Sequence, residues 1–465
     1  MKQRVYINKL REHIDKEVLI AGWVHVRRDH GKLIFIDMRD ATGKVQMVAL
    51  PNNKEAHTIA ETVRPEWVIE VMGKVNKRPS KMVNSDEENG GIEIEMLSMH
   101  ILNKSKTPPF EITEDTSDVD ETTRLKYRYL DLRTERMQRN LKIRSQFVQK
   151  CRQYLFAKNF IEIETPLLTE STAEGARDFI VPSRLHKGKF YALPQSPQQY
   201  KQLLMTAGFE RYFQIARAIR DEDLRADRGF EHTQIDIEIS FVSMQNVMDM
   251  VEDMITTVVE AMGYVIKEKP FPKFTYEEAL KIHGDDKFDL RTEKEKEENI
   301  LAYAWVNEFP LFEKTDSGSW TFSHNPFSMP KEEHIEWLLG GKNIKNIFST
   351  QYDLVCNGFE TGGGSIRIHK AEMLRAVYRV MGYSEEETEK SVGHMLEAFE
   401  YGTPPHGGIA LGVERNIMNL VGEVALREVQ AFPMTRSGQT AVMDGPSEVP
   451  KEQLDELGIE IKKDK

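Results

Sequence analysis

Cysteine is nearly missing from this sequence: Cys151 and Cys356 are the only two in 465 residues. They are far apart, and neither has a CxxC partner or a Cys/His cluster around it, which excludes a disulfide framework and a thiolate zinc site. Both are read as buried thiols in a reducing compartment. Long apolar runs are missing as well. No stretch approaches the length of a bilayer span, and the amino-terminal MKQRVYINKLREH lacks the apolar core of a secretory leader. The expectation is a soluble, cytoplasmic chain with no membrane partner. There is no surplus of positive charge: 63 lysines and arginines stand against 75 aspartates and glutamates, for a net charge of −12. A nucleic-acid partner would therefore have to be held by local basic patches.

What is present begins with short alternating segments. Glu17 to Val26, Leu33 to Arg39, Val45 to Ala49, Trp67 to Val75 and Ile92 to Met96 read as strands separated by turn signals such as Ala41-Thr42-Gly43. Five strands within residues 1–104 predict a barrel of the oligonucleotide-binding type. In the second, Ile34, Ile36 and Met38 would fill the barrel, leaving Phe35, Asp37 and Arg39 outside. Phe35 lies near Arg27, Arg28, Gln46, Lys77 and Arg78, so it could stack on an unpaired base, or it could cover a neighbouring loop.

Residues 105–135, with Pro108-Pro109 and an acidic run from Glu111 to Glu121, read as a solvated linker, and 136–435 as the second domain. Phe147, Val148, Cys151, Tyr154 and Leu155 fall at helical spacing, followed by a strand ending at Pro166. Val247, Val251, Met254, Ile255 and Val258 mark a second amphipathic helix. A third begins at Ser384, where Glu387 completes a capping box. Residues 284–299 read as a charged surface connection, and 436–465 as a partly mobile tail.

The densest chemistry lies in YFQIARAIRDEDLRADRGFEHTQIDIEISF, from Tyr212 to Phe241. Ile235, Ile237, Ile239 and Phe241 alternate with Gln234, Asp236 and Glu238, and if the two flanking strands pair, Arg220 and Glu222 share the face of Asp236 and Glu238. Taken alone, such charges describe either a solvated sheet face or a site. Two later stretches carry similar chemistry. YDLVCNGFETGGGSIRI sets Asp353 and Glu360 around a strand and runs through Gly362-Gly363-Gly364 to Arg367; the glycines admit either a close ligand or a tight turn. GGIALGVER passes through Gly412 into a helix that begins with Arg415, where an arginine opposes the helix dipole and calls for an anion.

In this order the segments resemble the three signature motifs of class II aminoacyl-tRNA synthetases: Phe160 to Pro166, then Arg220-Asp221-Glu222 with its loop and returning strand, then Gly412-Val413-Glu414-Arg415. LIFIDMRD, KYRYLDLR, EGARDF, KFYALPQSP, RDEDLRADR, GGGSIRIH and PPHGGIALG are similar to the bacterial aspartyl branch of that class. The resemblance implies an α+β chain, an OB-fold barrel before a six- or seven-stranded antiparallel catalytic sheet, acting as a homodimer. It implies ATP-dependent ligation of aspartate to tRNA through an aspartyl-adenylate, with Mg2+ as cofactor and tRNA(Asp) as partner. By the same resemblance Arg220, Glu222 and Arg415 are catalytic. Arg220, Asp221, Glu222, His232, Glu360, Gly412, Val413, Glu414 and Arg415 contact ATP, and Asp353 and Glu360 carry the metal. Glu174, Gln198 and Asp236 take the substrate ammonium, while Lys201 and a bidentate Arg367, with His324 nearby, take the side-chain carboxylate. Two buried cations there would reject the amide of asparagine. Arg28, Phe35, Gln46, Arg78 and Glu93 meet the anticodon.

The sequence departs from that family in four places. The extra domain usual between the second and third motifs is absent, and none of the implied chemistry maps to it. RGFEHTQ replaces the usual RQPEFTQ, so His232 stands where a phenylalanine stacks on adenine and Gly229 where a glutamine contacts ATP; a neutral imidazole still stacks, with weaker binding expected at acid pH. Asn325 follows His324 in place of a second histidine, and Val413-Glu414 replaces leucine and aspartate. His30, a position that is often histidine in relatives accepting both tRNAs, leans toward tRNA(Asn) as a second partner. An asparagine-specific enzyme, or a non-catalytic tRNA-binding paralogue, remains the alternative.

Overall fold

The structure, a computed structural model, describes residues 3–172 and 174–462. It divides into two compact units, Met1–Asp120 with Arg133–Glu135, and Glu121–Leu132 with Arg136–Lys465.

The first unit is a closed barrel of β1 (Glu17–Asp29), β2 (Ile34–Asp40), β3 (Gly43–Ala49), β4 (Val68–Lys77) and β5 (Ile92–Asn103), in the order β1-β2-β3-β5-β4. Period-two alternation sets which side chains fill it: Ile34, Ile36 and Met38 are fully buried, together with Ile20, Val24, Met47, Val71 and Ile94. The register places Phe35 opposite Arg28 and Asp37 opposite Gln46 on the outer surface. Arg39, expected outside, is instead drawn into a buried pair, with both guanidinium nitrogens 2.6 Å from the carboxylate of Glu66.

The second unit is built on a sheet of eight strands rather than the six or seven expected. In chain order these are β6 (Ile161–Glu162), β9 (Arg211–Ile219), β10 (Glu231–Ser240), β11 (Lys273–Thr275), β12 (Tyr303–Asn307), β15 (Gln351–Cys356), β16 (Phe359–Ile366) and β17 (His406–Gly412). Two small hairpins, β7 (Ile180–Pro182) with β8 (Phe190–Ala192) and β13 (Phe312–Lys314) with β14 (Trp320–Phe322), lie outside it. The order is β11-β12-β15-β16-β17-β10-β9-β6; its centre is antiparallel, but the edge pairs β11·β12 and β6·β9 are parallel. One face carries the core. Ile235, Ile237 and Ile239 pack with Val247, Val251, Met254, Ile255 and Val258 of the helix Met244–Ala261, and with Phe147, Cys151 and Leu155 of the helix Glu135–Ala157. The helix Glu385–Glu400 starts with both hydrogen bonds of the Ser384/Glu387 capping box.

Several expectations need correction. Phe241 does not continue the apolar face: β10 stops at Ser240, and Phe241 turns the chain at φ 59° with its ring 68% exposed. Gly362-Gly363-Gly364 form no turn but lie within β16, because the reversal is made at Asn357-Gly358. A Cβ on Gly364 would stand 2.1 Å from the carbonyl oxygen of Gly408, so β17 and β16 close up only because that carbon is missing. Residues 121–131 are not a solvated linker. Two short helices, Glu121–Lys126 and Arg128–Asp131, bury Arg124 and Arg128, and Arg124 grips Glu428 with two bonds of 3.0 and 2.8 Å. The tail holds a helix, Lys451–Leu457. Among the described residues no helix is long and apolar enough to cross a membrane.

Candidate active site

A cavity of about 330 Å³ opens over the polar face of β10, within the range of small-molecule sites. Arg220, Arg367 and Arg415, from three distant segments, all line it. Arg220 follows β9 directly. Its N–H extends the ladder to Phe230 O at 2.8 Å and its Nε donates to Gln195 O at 3.2 Å. Glu222, two residues on, lines the same cavity. Arg367 leaves the end of β16, and Arg415 is the third residue of the helix Val413–Val421 that follows β17.

At one end lies a buried ionic cluster. Lys201, on the helix Gln198–Thr206, donates to Asp236 Oδ1 at 2.6 Å and stands 3.1 Å from Glu238 Oε2. Arg367 Nε donates to Glu238 Oε1 at 3.1 Å, and its Nη1 to Ser365 Oγ at 2.8 Å. Glu238, seen in the sequence as a charge on the sheet but given no role, is therefore the residue joining both cations. Burial opposes its charge, yet Arg367 and Lys201 hold its pKa below the usual range. This changes the case against asparagine. Two carboxylates match two cations, so the cluster has no surplus positive charge, and Arg367 already spends its Nε edge on Glu238. A carboxylate is favoured over an amide here by the donors turned to it rather than by net charge. Asp236 Oδ2 is buried with no partner among the described residues, an open acceptor, and burial raises its pKa.

Glu174 and Gln198 line the same end. Glu174 accepts from Ser196 Oγ at 2.6 Å, and its carboxyl is also pushed up by burial. The loop carrying it is fastened by Gln195, a residue the sequence reading passed over. The Gln195 amide receives Ala176 N–H at 3.0 Å and donates to Ala176 O at 2.9 Å and Asp178 Oδ1 at 2.6 Å.

At the other end Arg415 donates to the backbone carbonyl of Glu360 at 2.9 Å and to Asp227 Oδ2 at 3.0 Å, so the Asp227 carboxylate already offsets the charge that the helix dipole opposes. His232 lines the wall, and its pKa falls to about 3 through burial and the nearby Arg220. That overturns the expected weakening at acid pH, since the ring stays neutral through the whole mildly acidic range. Glu414 does not face the cavity alone: it accepts Thr233 N–H at 2.9 Å and Arg144 at 2.8 Å, fixing the strand that carries His232. Val413 is fully buried in the core and Asp221 pairs with Arg177, its backbone N–H on Arg177 O; neither lines the cavity, contrary to their assignment to ATP. Gly412 does line it.

Asp353 is 2% exposed beneath the floor, accepting from Gln351 Nε2 at 2.7 Å, with His324 Nε2 3.5 Å away. His324 thus belongs with the metal-type carboxylates rather than with Lys201 and Arg367, and Asp353 overcomes the effect of burial to raise its pKa. Glu360 lines the cavity directly. An ideal Cβ on Gly363 would lie 3.0 Å from Asp353 Oδ1 and 3.4 Å from Glu360 Oε1, so both carboxylates border one bare strip of backbone. Two hard oxygen donors fit Mg2+, which takes the remainder of its shell from water and phosphate. Among the described residues no cluster of three or more protein ligands exists.

On the barrel, Arg28 bonds both oxygens of Asp37, at 2.6 and 2.9 Å, and Gln46 at 3.2 Å; Gln46 in turn donates to Glu93 at 3.3 Å. Phe35 is half-buried beside this chain, with the ring of exposed His30 edge-on at 5.6 Å. Arg78 carries a buried Nε with no partner among the described residues.

Two family profiles match: residues 120–436 fit that described as tRNA synthetases class II (D, K and N), and residues 18–102 the OB-fold nucleic acid binding domain. The fold is that of a class II aminoacyl-tRNA synthetase. An aspartate–tRNA ligase from Staphylococcus saprophyticus is 39% identical over 587 residues, covering 99% of this chain and 100% of the relative. An aspartate–tRNA(Asp/Asn) ligase from Rubrobacter xylanophilus is 39% identical over 573 residues, covering 97% and 95%. The chain belongs to the aspartate–tRNA ligase family. Both alignments are longer than its 465 residues, so these relatives carry residues with no counterpart here, in keeping with the missing domain. The aspartyl tRNA synthetase of Entamoeba histolytica shares the fold, at 21% identity and TM-score 0.73 over 93% of this chain and 91% of that one. So does the asparaginyl-tRNA synthetase of Pyrococcus horikoshii complexed with asparaginyl-adenylate, at 22% and 0.74 over 94% and 99%.

Proposed function

We propose that this chain joins L-aspartate to ATP, giving aspartyl-adenylate and pyrophosphate, and then passes the aspartyl group to the terminal ribose of tRNA. The observation that carries the reading is the convergence of Arg220, Arg367 and Arg415 on one cavity whose far end holds the open acceptor Asp236 Oδ2. The substrate ammonium is received by Asp236, Glu174 and Gln198, and its side-chain carboxylate by Lys201 and Arg367. The α-carboxylate then lies free to attack the α-phosphorus in line, forming a C(O)O–P bond as the bond to the β-phosphate oxygen breaks. Arg220 meets the charge that builds on the α-phosphate, at a fixed guanidinium that needs no reorganisation. His232 offers its neutral ring to adenine, with Glu222 and Gly412 beside the nucleotide. Arg415 faces the phosphate tail. Glu360, with Asp353 behind it, would hold Mg2+, which when bound offsets phosphate charge.

The barrel takes the anticodon. Phe35 stacks on a base, and Arg28, Gln46, Glu93 and Arg78 supply polar edges. Two copies pair through the apolar surface beside β6, where Ile161, Leu167 and Leu168 are each about half exposed. The buried free thiols suit the cytoplasm. The carrying experiment is exchange of labelled pyrophosphate into ATP by the purified chain. Aspartate supports exchange and asparagine does not; exchange with asparagine alone, or with neither, refutes the reading.

A second reading concerns the tRNA. His30 touches Phe35, within reach of a base stacked there, and supports charging of tRNA(Asn) as well as tRNA(Asp) with aspartate. Aminoacylation of both purified tRNAs decides it, and acceptance by tRNA(Asp) alone rejects it.

A further inference from the structure

Residues 284–299 read in the sequence as a surface connection standing where relatives carry an extra domain. The structure brings the start of that segment beside Glu360, one of the carboxylates that line the cavity. Phe288 is 6% exposed and packs in a satellite core with Ala279, Val306, Phe309 and Val355. Its carbonyl receives Gly358 N–H at 3.0 Å, tying the segment to the turn between β15 and β16, the hairpin that carries Asp353 and Glu360. Lys287 N–H donates to Asp285 Oδ1 at 2.9 Å, and Asp289 accepts from the backbone and guanidinium of Arg291. This is a braced loop.

From it Lys287 Nζ reaches to 3.7 Å from Glu360 Oε2, the same oxygen from which Arg415 Nη1 stands 3.8 Å. Two cations from unrelated segments thus converge on one carboxylate at the phosphate end of the cavity. They are not equivalent. Arg415 is engaged by the carbonyl of Glu360 and by Asp227. Lys287 Nζ makes no hydrogen bond among the described residues, since 3.7 Å is beyond donor reach, and its side chain is about a third exposed. An ammonium with three unspent donors on a flexible stem suits a mobile anion such as a phosphate.

We propose that Lys287 binds the β- and γ-phosphates of ATP and steadies the departing pyrophosphate beside Arg415. The assignment rests on the nucleotide reading of the cavity and adds to it a residue from the segment taken for a plain connection. It is tested by aspartate-dependent pyrophosphate exchange with wild type as control. One charge-assisted hydrogen bond to phosphate makes the KM for ATP and for pyrophosphate rise about tenfold in Lys287→Ala. The KM for aspartate stays within about twofold, because its pocket is untouched, and Lys287→Arg restores most of the loss. Lys287→Gln keeps the stem and is read alongside, so that a packing defect in the alanine variant does not blur the result. If wild type exchanges while both neutral variants keep wild-type KM values for ATP and pyrophosphate, or the KM for aspartate climbs with them, the assignment fails and the nucleotide reading stands. If wild type itself does not exchange, both fall.

Discussion

On the barrel, Arg28 and Asp37 form a two-bond ion pair whose side chains are 41% and 21% exposed; on the catalytic sheet, Lys201, Arg367, Asp236 and Glu238 make a comparable set of bonds at 0 to 3% exposure. The chemistry is alike and the energetics are not. Water already competes for the barrel pair, so a nucleic acid edge can replace one partner at little cost. In the sheet cluster, removing a partner strands a charge where no solvent reaches it. One network is free to be exchanged and the other is set in advance.

The largest expected effect falls on the buried side. Glu238→Gln removes the shared anion from Arg367 and Lys201 and should destabilise the protein by about 3–5 kcal/mol in denaturant titration. Aspartate-dependent exchange should be lost with it, and a change in stability below about 1 kcal/mol would break the contrast. On the barrel, Phe35→Ala should weaken tRNA binding by about 1–3 kcal/mol while leaving pyrophosphate exchange as it was. A matching loss in exchange would mean that the barrel surface is not separable from activation.

The smallest effect is expected at His232. In His232→Phe the KM for ATP should stay within about threefold of wild type, because either ring presents a neutral face. The ratio of the two KM values should be flat between about pH 5.5 and 8. The folded pKa near 3 lies below the ordinary 6.5. Between those limits the unfolded chain binds the proton that the folded one refuses, so folding weakens as pH falls through that window while the site keeps its neutral ring. Abolished activation in His232→Phe, or a ratio that rises toward acid, would remove the stacking role.

What the sequence made legible follows the same division. The barrel strands were readable because one face meets solvent and the other does not, so Ile34, Ile36 and Met38 stand out against Phe35 and Asp37. On β10 both faces are buried, and the alternation of Ile235 and Ile237 with Asp236 and Glu238 describes core and site equally well. The pairing of Arg124 with Glu428 joins residues 304 positions apart, and such partners leave no local pattern. That is why 121–131 looked like a linker. Phe241 kept the alternation that the chain abandons one residue earlier. Asp221 and Val413 were assigned through motif neighbours, but on a strand end or a helix start adjacent residues point apart: Arg220 and Glu222, and Gly412 and Glu414, line the cavity while the residues between them do not. Phe288 hid a braced loop because one buried ring among charges gives no periodicity.

The three glycines inside β16 carry a consequence for anyone wishing to retune what this protein accepts. Gly362 and Gly364 would drive a Cβ into β17, and Gly363 into the carboxylates of Asp353 and Glu360. That strip of ground offers no side chain to exchange, and a new one would displace β17 or crowd the two carboxylates. New selectivity has to be drafted on the surrounding walls, on Lys201, Asp236, Glu238 and the loop of Glu174, while the paving beneath stays as it is.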